Sequence, residues 1–184
     1  MENIRLKLAK EKFKEKNQVD ENLKFEDYIL ECYIKCSPQS YGPKIEKKII
    51  KQFQFEKIKR KLGQGDLVVT QKTEFTPFNN FSLGDKMELK VSFLTSGDSS
   101  YNLIQLRPYE VFDFYLFLLI DCENDFEQQW FLLNKSDLNE ENFKINSIHG
   151  NKESVAQNVN VEYKLNVKKN SENYNKLVKL NLIK

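Results

Sequence analysis

The stretch Val111 to Ile120 constrains this chain more than any other. It reads Val-Phe-Asp-Phe-Tyr-Leu-Phe-Leu-Leu-Ile, with a single charge. Successive residues of a strand face opposite sides of a sheet. Apolar and aromatic residues at both parities therefore predict a central strand covered on both faces. The run is far too short to cross a membrane, which takes about 20 residues, and no other apolar run approaches that length. A chain of 184 residues suits one core, since single domains commonly span about 100–200 residues. Fourteen Phe, eight Tyr and one Trp supply enough apolar bulk to fill it, so global disorder is not expected.

Around that run the pattern alternates between helical and extended. Ile4, Leu8 and Phe13 recur at helical spacing within the first sixteen residues, and Phe25, Tyr28, Ile29, Cys32 and Tyr33 do the same further on. Pro43 can open a third helix at no cost in hydrogen bonds. Ile45, Ile49, Ile50 and Phe53 form its apolar face, and Gly63-Gln64-Gly65 is its expected end. Asp66 to Thr70 reads as a short buried strand. Met87 to Phe93 alternates strictly, with Met87, Leu89, Val91 and Phe93 on one side and Glu88, Lys90 and Ser92 on the other. Thr76 to Asn80 and Ser96 to Ser100 read as loops. Trp130 to Leu133 is a further strand, and Asn134-Lys135-Ser136-Asp137 after it is a helix cap. Val161, Tyr163, Leu165 and Val167 form a late strand, and Asn175 to Ile183 fits either helix or strand. Together these elements predict a single α/β or α+β domain.

Several chemistries lack their parts. Three cysteines, Cys32, Cys36 and Cys122, form neither a disulfide framework nor a zinc pattern. His149, the sole histidine, is expected in a loop beside Gly150, which leaves histidine-based acid–base schemes little to use. No glycine-rich phosphate cradle is present. Met1-Glu2-Asn3-Ile4-Arg5 is too mixed in charge to open a signal peptide, so a soluble, cytoplasmic protein is expected. Charge is nearly balanced, at 29 basic against 27 acidic residues, but it is segregated. Lysines crowd the segment Lys44 to Lys61, and acids the segment Glu110 to Glu141. One basic face on a near-neutral protein suits a polyanion; a solvated helix surface is the plainer alternative.

One constellation carries chemistry. Alternation sets Glu88 and Lys90 on the same strand face, and an antiparallel partner strand starting at Asp66 brings a second carboxylate beside Glu88. Two carboxylates can hold Mg²⁺, which prefers hard oxygen ligands and retains water. A lysine alongside can position or polarise that water for attack on a phosphodiester. Gly65-Asp66 and then Glu88-Leu89-Lys90, after the helix around Ile45 to Lys61, resembles the PD-(D/E)xK nuclease superfamily, which includes many type II restriction endonucleases. Gln105-Leu106-Arg107-Pro108 with the strands Asp113 to Ile120 and Trp130 to Leu133 is also similar to the region downstream of the active site in some restriction-enzyme families. The resemblance covers roughly residues 43–138, with N-terminal helices over 1–36 and a C-terminal third of unassigned role, for recognition or dimerisation. It implies a mixed sheet flanked by helices, double-stranded DNA as substrate, Mg²⁺ as cofactor and a homodimer. Gly65 stands where the motif's name has Pro, and Asp85 is a rival for the role of Asp66.

Glu-x-Lys alone is weak. It recurs at Glu46-Lys47-Lys48, which is helical and so does not share a face, and at Glu162-Tyr163-Lys164, which is extended but has no Gly-Asp strand before it. The plain alternative for Glu88 and Lys90 is an exposed ion pair. By resemblance Gln105 joins the active site, while Arg107, Ser92, Lys47, Lys48 and Lys51 are candidates for phosphate contacts. Glu46 is either a further metal carboxylate or the partner of a nearby lysine. The expected activity is Mg²⁺-dependent cleavage of DNA by a restriction-type enzyme. The alternatives are a repair or recombination nuclease, or a non-catalytic nucleic-acid-binding or assembly module.

Overall fold

The computed structural model describes residues 18–58, 65–70, 82–95, 97–149 and 161–183. The helix expected over 1–16, Gly63-Gln64, the loop Thr76 to Asn80 and Ser96 lie outside them. Two helices come first: α1 (Phe25–Lys35) and α2 (Pro38–Gln52). Eight strands come next: β1 (Glu56–Lys57), β2 (Leu67–Val68), β3 (Lys86–Leu94), β4 (Tyr101–Leu106), β5 (Phe114–Asp121), β6 (Glu127–Asn134), β7 (Ile145–His149) and β8 (Glu162–Val167). A 3₁₀ turn spans Lys135–Asp137, and α3 (Glu172–Leu180) closes the series.

Helix α1 buries the predicted stripe of Phe25, Tyr28, Ile29 and Cys32. Glu26 and Asp27 stand in its first turn and Lys35 in its last, the arrangement the helix dipole favours. Helix α2 starts at Pro38, not Pro43. Pro38 sits at the first helical position, where its missing N–H is no loss, and Pro43 is carried inside the helix. The helix also ends well short of Gly63. Phe53 and Phe55 are both buried around an exposed Gln54, and Phe55 N donates back to Ile50 O at 3.0 Å in the turn that ends the helix. Gln54 takes a positive φ of 56° and the chain turns into β1. Gly65 is thus no helix terminator.

The main sheet has the order β1-β2-β3-β5-β6, with β3 and β5 parallel and the other pairs antiparallel. Leu116, Leu118 and Ile120 of β5 pack on the helical side; Tyr115, Phe117 and Leu119 pack on the other. Both faces of the apolar run are therefore covered, as its composition requires. The covers differ in kind. Helices α1 and α2 form one, while the other is a second antiparallel sheet, β4-β8-β7, with α3 beside it. The expected mixed sheet with flanking helices is present, and the second sheet is a layer the sequence reading does not include. Neither β4 nor β7 is among the strands predicted from sequence, and the backbone of His149 ends β7 instead of lying in a loop. The crossover joining parallel β3 and β5, a role usually taken by a helix, is made here by β4.

The C-terminal segment resolves as helix. The side chain of Ser171 caps α3 by accepting from Tyr174 N at 3.3 Å. Asn181 then mimics a strand: its Oδ1 accepts from Leu132 N at 2.9 Å and its Nδ2 donates to Trp130 O at 3.1 Å. This covers part of the outer edge of β6. Among the described residues, no helix is long and apolar enough to cross a membrane.

Candidate active site

Strands β2 and β3 part almost as soon as they meet. Their register holds Leu67 opposite Met87 and Val68 opposite Lys86. Gly65 makes the approach possible: a Cβ there would lie 2.7 Å from Met87 O and 2.9 Å from the Phe112 Cβ. The next residue, Asp66, donates its N–H to Met87 O at 2.8 Å. Its side chain then takes over where the ladder ends, Oδ2 accepting from Leu89 N at 3.3 Å. In an extended strand the N–H and C=O of one residue face the same side, so the Leu89 carbonyl also faces this edge. A cleft of about 630 Å³ opens here. Gly42, Pro43 and Glu46 of α2 wall one side, Ile104 and Gln105 of β4 the other, with Asp66, Lys90 and Lys57 between.

Glu88 lies behind this lining on the face towards β4, fully buried, and Asp66, which does line the cleft, is 3% exposed. An exposed hairpin ion pair is therefore excluded for Glu88. Lys90 donates to Glu88 Oε1 and reaches the cleft with a side chain 16% exposed. The second oxygen, Glu88 Oε2, is buried without a hydrogen-bond partner. Burial, foremost, pushes the Glu88 carboxyl up to about 7; Lys90 opposes the shift and the neighbouring Asp66 carboxylate adds to it. Two ionised carboxylates repel, and a proton or a cation between them relieves that repulsion. Asp85 plays a different part. Its Oδ2 accepts from Ser82 N at 2.6 Å and so closes the turn before β3.

The donor set fits a small hard cation. Among the described residues, no three His, Cys, Asp or Glu side chains converge as a cage. Asp66 and Glu88 with the Leu89 carbonyl offer an incomplete oxygen site that leaves positions for water and a phosphate, as suits Mg²⁺. Glu46 stands on the opposite wall and pairs with Lys57 at 3.3 Å.

The remaining candidates separate. Gln105 reaches the cleft. Ser92 is buried, and its Oγ accepts from Asn102 N at 2.9 Å, pinning β4 to β3. Arg107 is held by Glu162 at 2.8 Å and Glu110 at 3.4 Å. Lys48 donates to the carbonyls of Glu21 and Leu23 and lies over the Tyr28 ring. Lys47 pairs with Glu21 at 2.6 Å, and both Lys47 and Lys51 are exposed. None of these five lines the cleft. Ile104, Lys57 and the Leu89 peptide do, and sequence patterning misses them. Only the position of Ile104 next to Gln105 hints at its place. The chain matches no protein-family model and no curated protein.

Proposed function

We propose that this protein is a Mg²⁺-dependent endonuclease that hydrolyses phosphodiester bonds of double-stranded DNA, with a restriction-endonuclease-like core and a restriction-type activity. The observation that carries this reading is the buried Glu88–Asp66 pair beside Lys90, with Asp66 and Lys90 lining a cleft on a sheet edge. Burying an acceptor such as Glu88 Oε2 unpaired costs about 1–3 kcal/mol, and a site that keeps such a group needs a reason to keep it. When bound, a divalent cation there neutralises charge gathering on phosphorus and acidifies its water.

The chain's own residues do the rest. Asp66 and Glu88 hold the cation. The Leu89 N–H fixes the Asp66 carboxylate, and Gly65 allows that strand to approach. Lys90 keeps one Glu88 oxygen engaged and directs its ammonium into the cleft, where it can hold the attacking water or a phosphate oxygen. Lys57, Lys47 and Lys51 are accessible for contacts with the duplex backbone. A second copy of the chain would set one such site on each strand of the duplex.

Purified protein incubated with plasmid DNA and Mg²⁺ tests this reading. Discrete fragments, lost with a chelator and in Glu88→Ala and Lys90→Ala, are expected. A smear would instead favour a repair-type nuclease. Salt-sensitive binding without cleavage in any divalent metal would make this a binding module.

A further inference from the structure

Strand β4 carries an irregularity at the cleft. Leu103 pairs with Leu165 and Leu106 with Tyr163, so three residue steps on β4 face two on β8. This is a β-bulge with one extra residue. In a regular strand Ile104 and Gln105 would face opposite sides. Here both are solvent-exposed and both line the cleft. Gln105 reaches this position with φ at 54°, a left-handed conformation that costs a non-glycine residue energy and clusters at functional sites. Glycine would fold this bulge without strain. Ile104 is 49% exposed, and among the described residues the Gln105 amide has no hydrogen-bond partner.

Resting on the nuclease reading, we infer that the Ile104–Gln105 bulge is a substrate-positioning clamp. The Gln105 amide donates to a phosphate oxygen next to the scissile bond, and Ile104 packs on the adjoining deoxyribose. The chemistry matches the groups beside it. Asp66 and Lys90, between the two walls of the cleft, address the scissile phosphate, and a second fixed contact one nucleotide away sets the strand in line with them. An amide suits this role because it adds no charge to a site already balancing two carboxylates and an ammonium. The isoleucine supplies the apolar surface a sugar can cover. Strain at Gln105 then keeps a side chain where the backbone alone would favour none.

Three variants test the clamp: Gln105→Gly, Gln105→Asn and Ile104→Ala. Single-turnover cleavage and thermal midpoint are read for each, with DNA binding in Ca²⁺. Gln105→Gly is expected to melt at or above the wild-type temperature yet lose at least about tenfold in the cleavage rate, as misplaced reactants do. Asn keeps the amide and tolerates left-handed backbone, so it should recover part of that loss. Ile104→Ala should weaken binding more than rate. Wild-type cleavage by Gln105→Gly would overturn the inference and leave the bulge a bend in β4. If Glu88→Ala still abolishes cleavage in that case, only the clamp fails; if Glu88→Ala also cleaves normally, the nuclease reading fails with it.

Discussion

Two tripeptides of the same pattern sit on strands of this protein and behave in opposite ways. Glu88-Leu89-Lys90 lies on β3 and Glu162-Tyr163-Lys164 on β8. In both, alternation sets the carboxylate and the ammonium on a common face. Glu162, however, is met by Arg107 at 2.8 Å, across 55 residues of chain. A guanidinium satisfies its charge outright, and the pair ties β4 to β8. Glu88 is met by a second acid and one lysine, with an oxygen left over. The difference shows that a Glu-x-Lys strand becomes a candidate site only where its surroundings leave charge unresolved.

The comparison breaks most readily on activity. Glu88→Ala and Lys90→Ala should each lower Mg²⁺-dependent cleavage by about 10²–10⁴-fold, the usual range for a lost acid–base or charge-positioning group. Glu162→Ala and Lys164→Ala should leave the cleavage rate of the folded protein within a few-fold. Equal losses at both tripeptides, measured on plasmid DNA, would erase the distinction.

Next in size is the metal-free pH dependence. The folded pKa of Glu88, about 7, lies above its ordinary value of 4.5, so the folded state binds the proton more tightly than the unfolded chain. Its stabilising contribution is complete below about pH 4.5, declines as pH rises through about 7 and is gone above that. The full swing is on the order of 3 kcal/mol. Melting curves of wild type and Glu88→Gln should therefore diverge with rising pH in the variant's favour. Parallel curves would mean that Glu88 titrates normally. Added Mg²⁺ or Ca²⁺ should raise the wild-type midpoint more at pH 8 than at pH 6, because the cation competes with that proton, and should leave Glu88→Gln nearly unmoved.

Smaller effects separate structure from site. Gly65→Ala should destabilise by about 1–3 kcal/mol, since its Cβ would press on the Met87 carbonyl, and should also shift Asp66. Glu162→Ala should cost about 1–2 kcal/mol through its pair with Arg107, which is 21% exposed. Thermal melts of each variant check both.

Much of the central layer is legible in the sequence. Period-two alternation along β3 places Glu88 and Lys90 together without any knowledge of the fold, and β5 declares its two covered faces. The covering sheet is not legible. β4 breaks its own alternation at the bulge, with Ile104 and Gln105 both exposed, and β7 is short and mixed, so neither offers a period to read. Helix α2 is misplaced at both ends by pattern alone, because Pro38 suits a helix start as well as Pro43, and because burial of Phe53 and Phe55 overrides the later glycines. Ser92, Lys48 and Arg107 resemble phosphate contacts in the sequence because their internal partners are distant or lie in the backbone.

Local periodicity thus settles which way each side chain of β3 points, because a strand's side-chain direction depends only on its own backbone. Packing decides the rest. Whether a carboxylate is neutralised, shared or left wanting a cation depends on groups brought together across tens of residues, and on how thoroughly water is excluded from them.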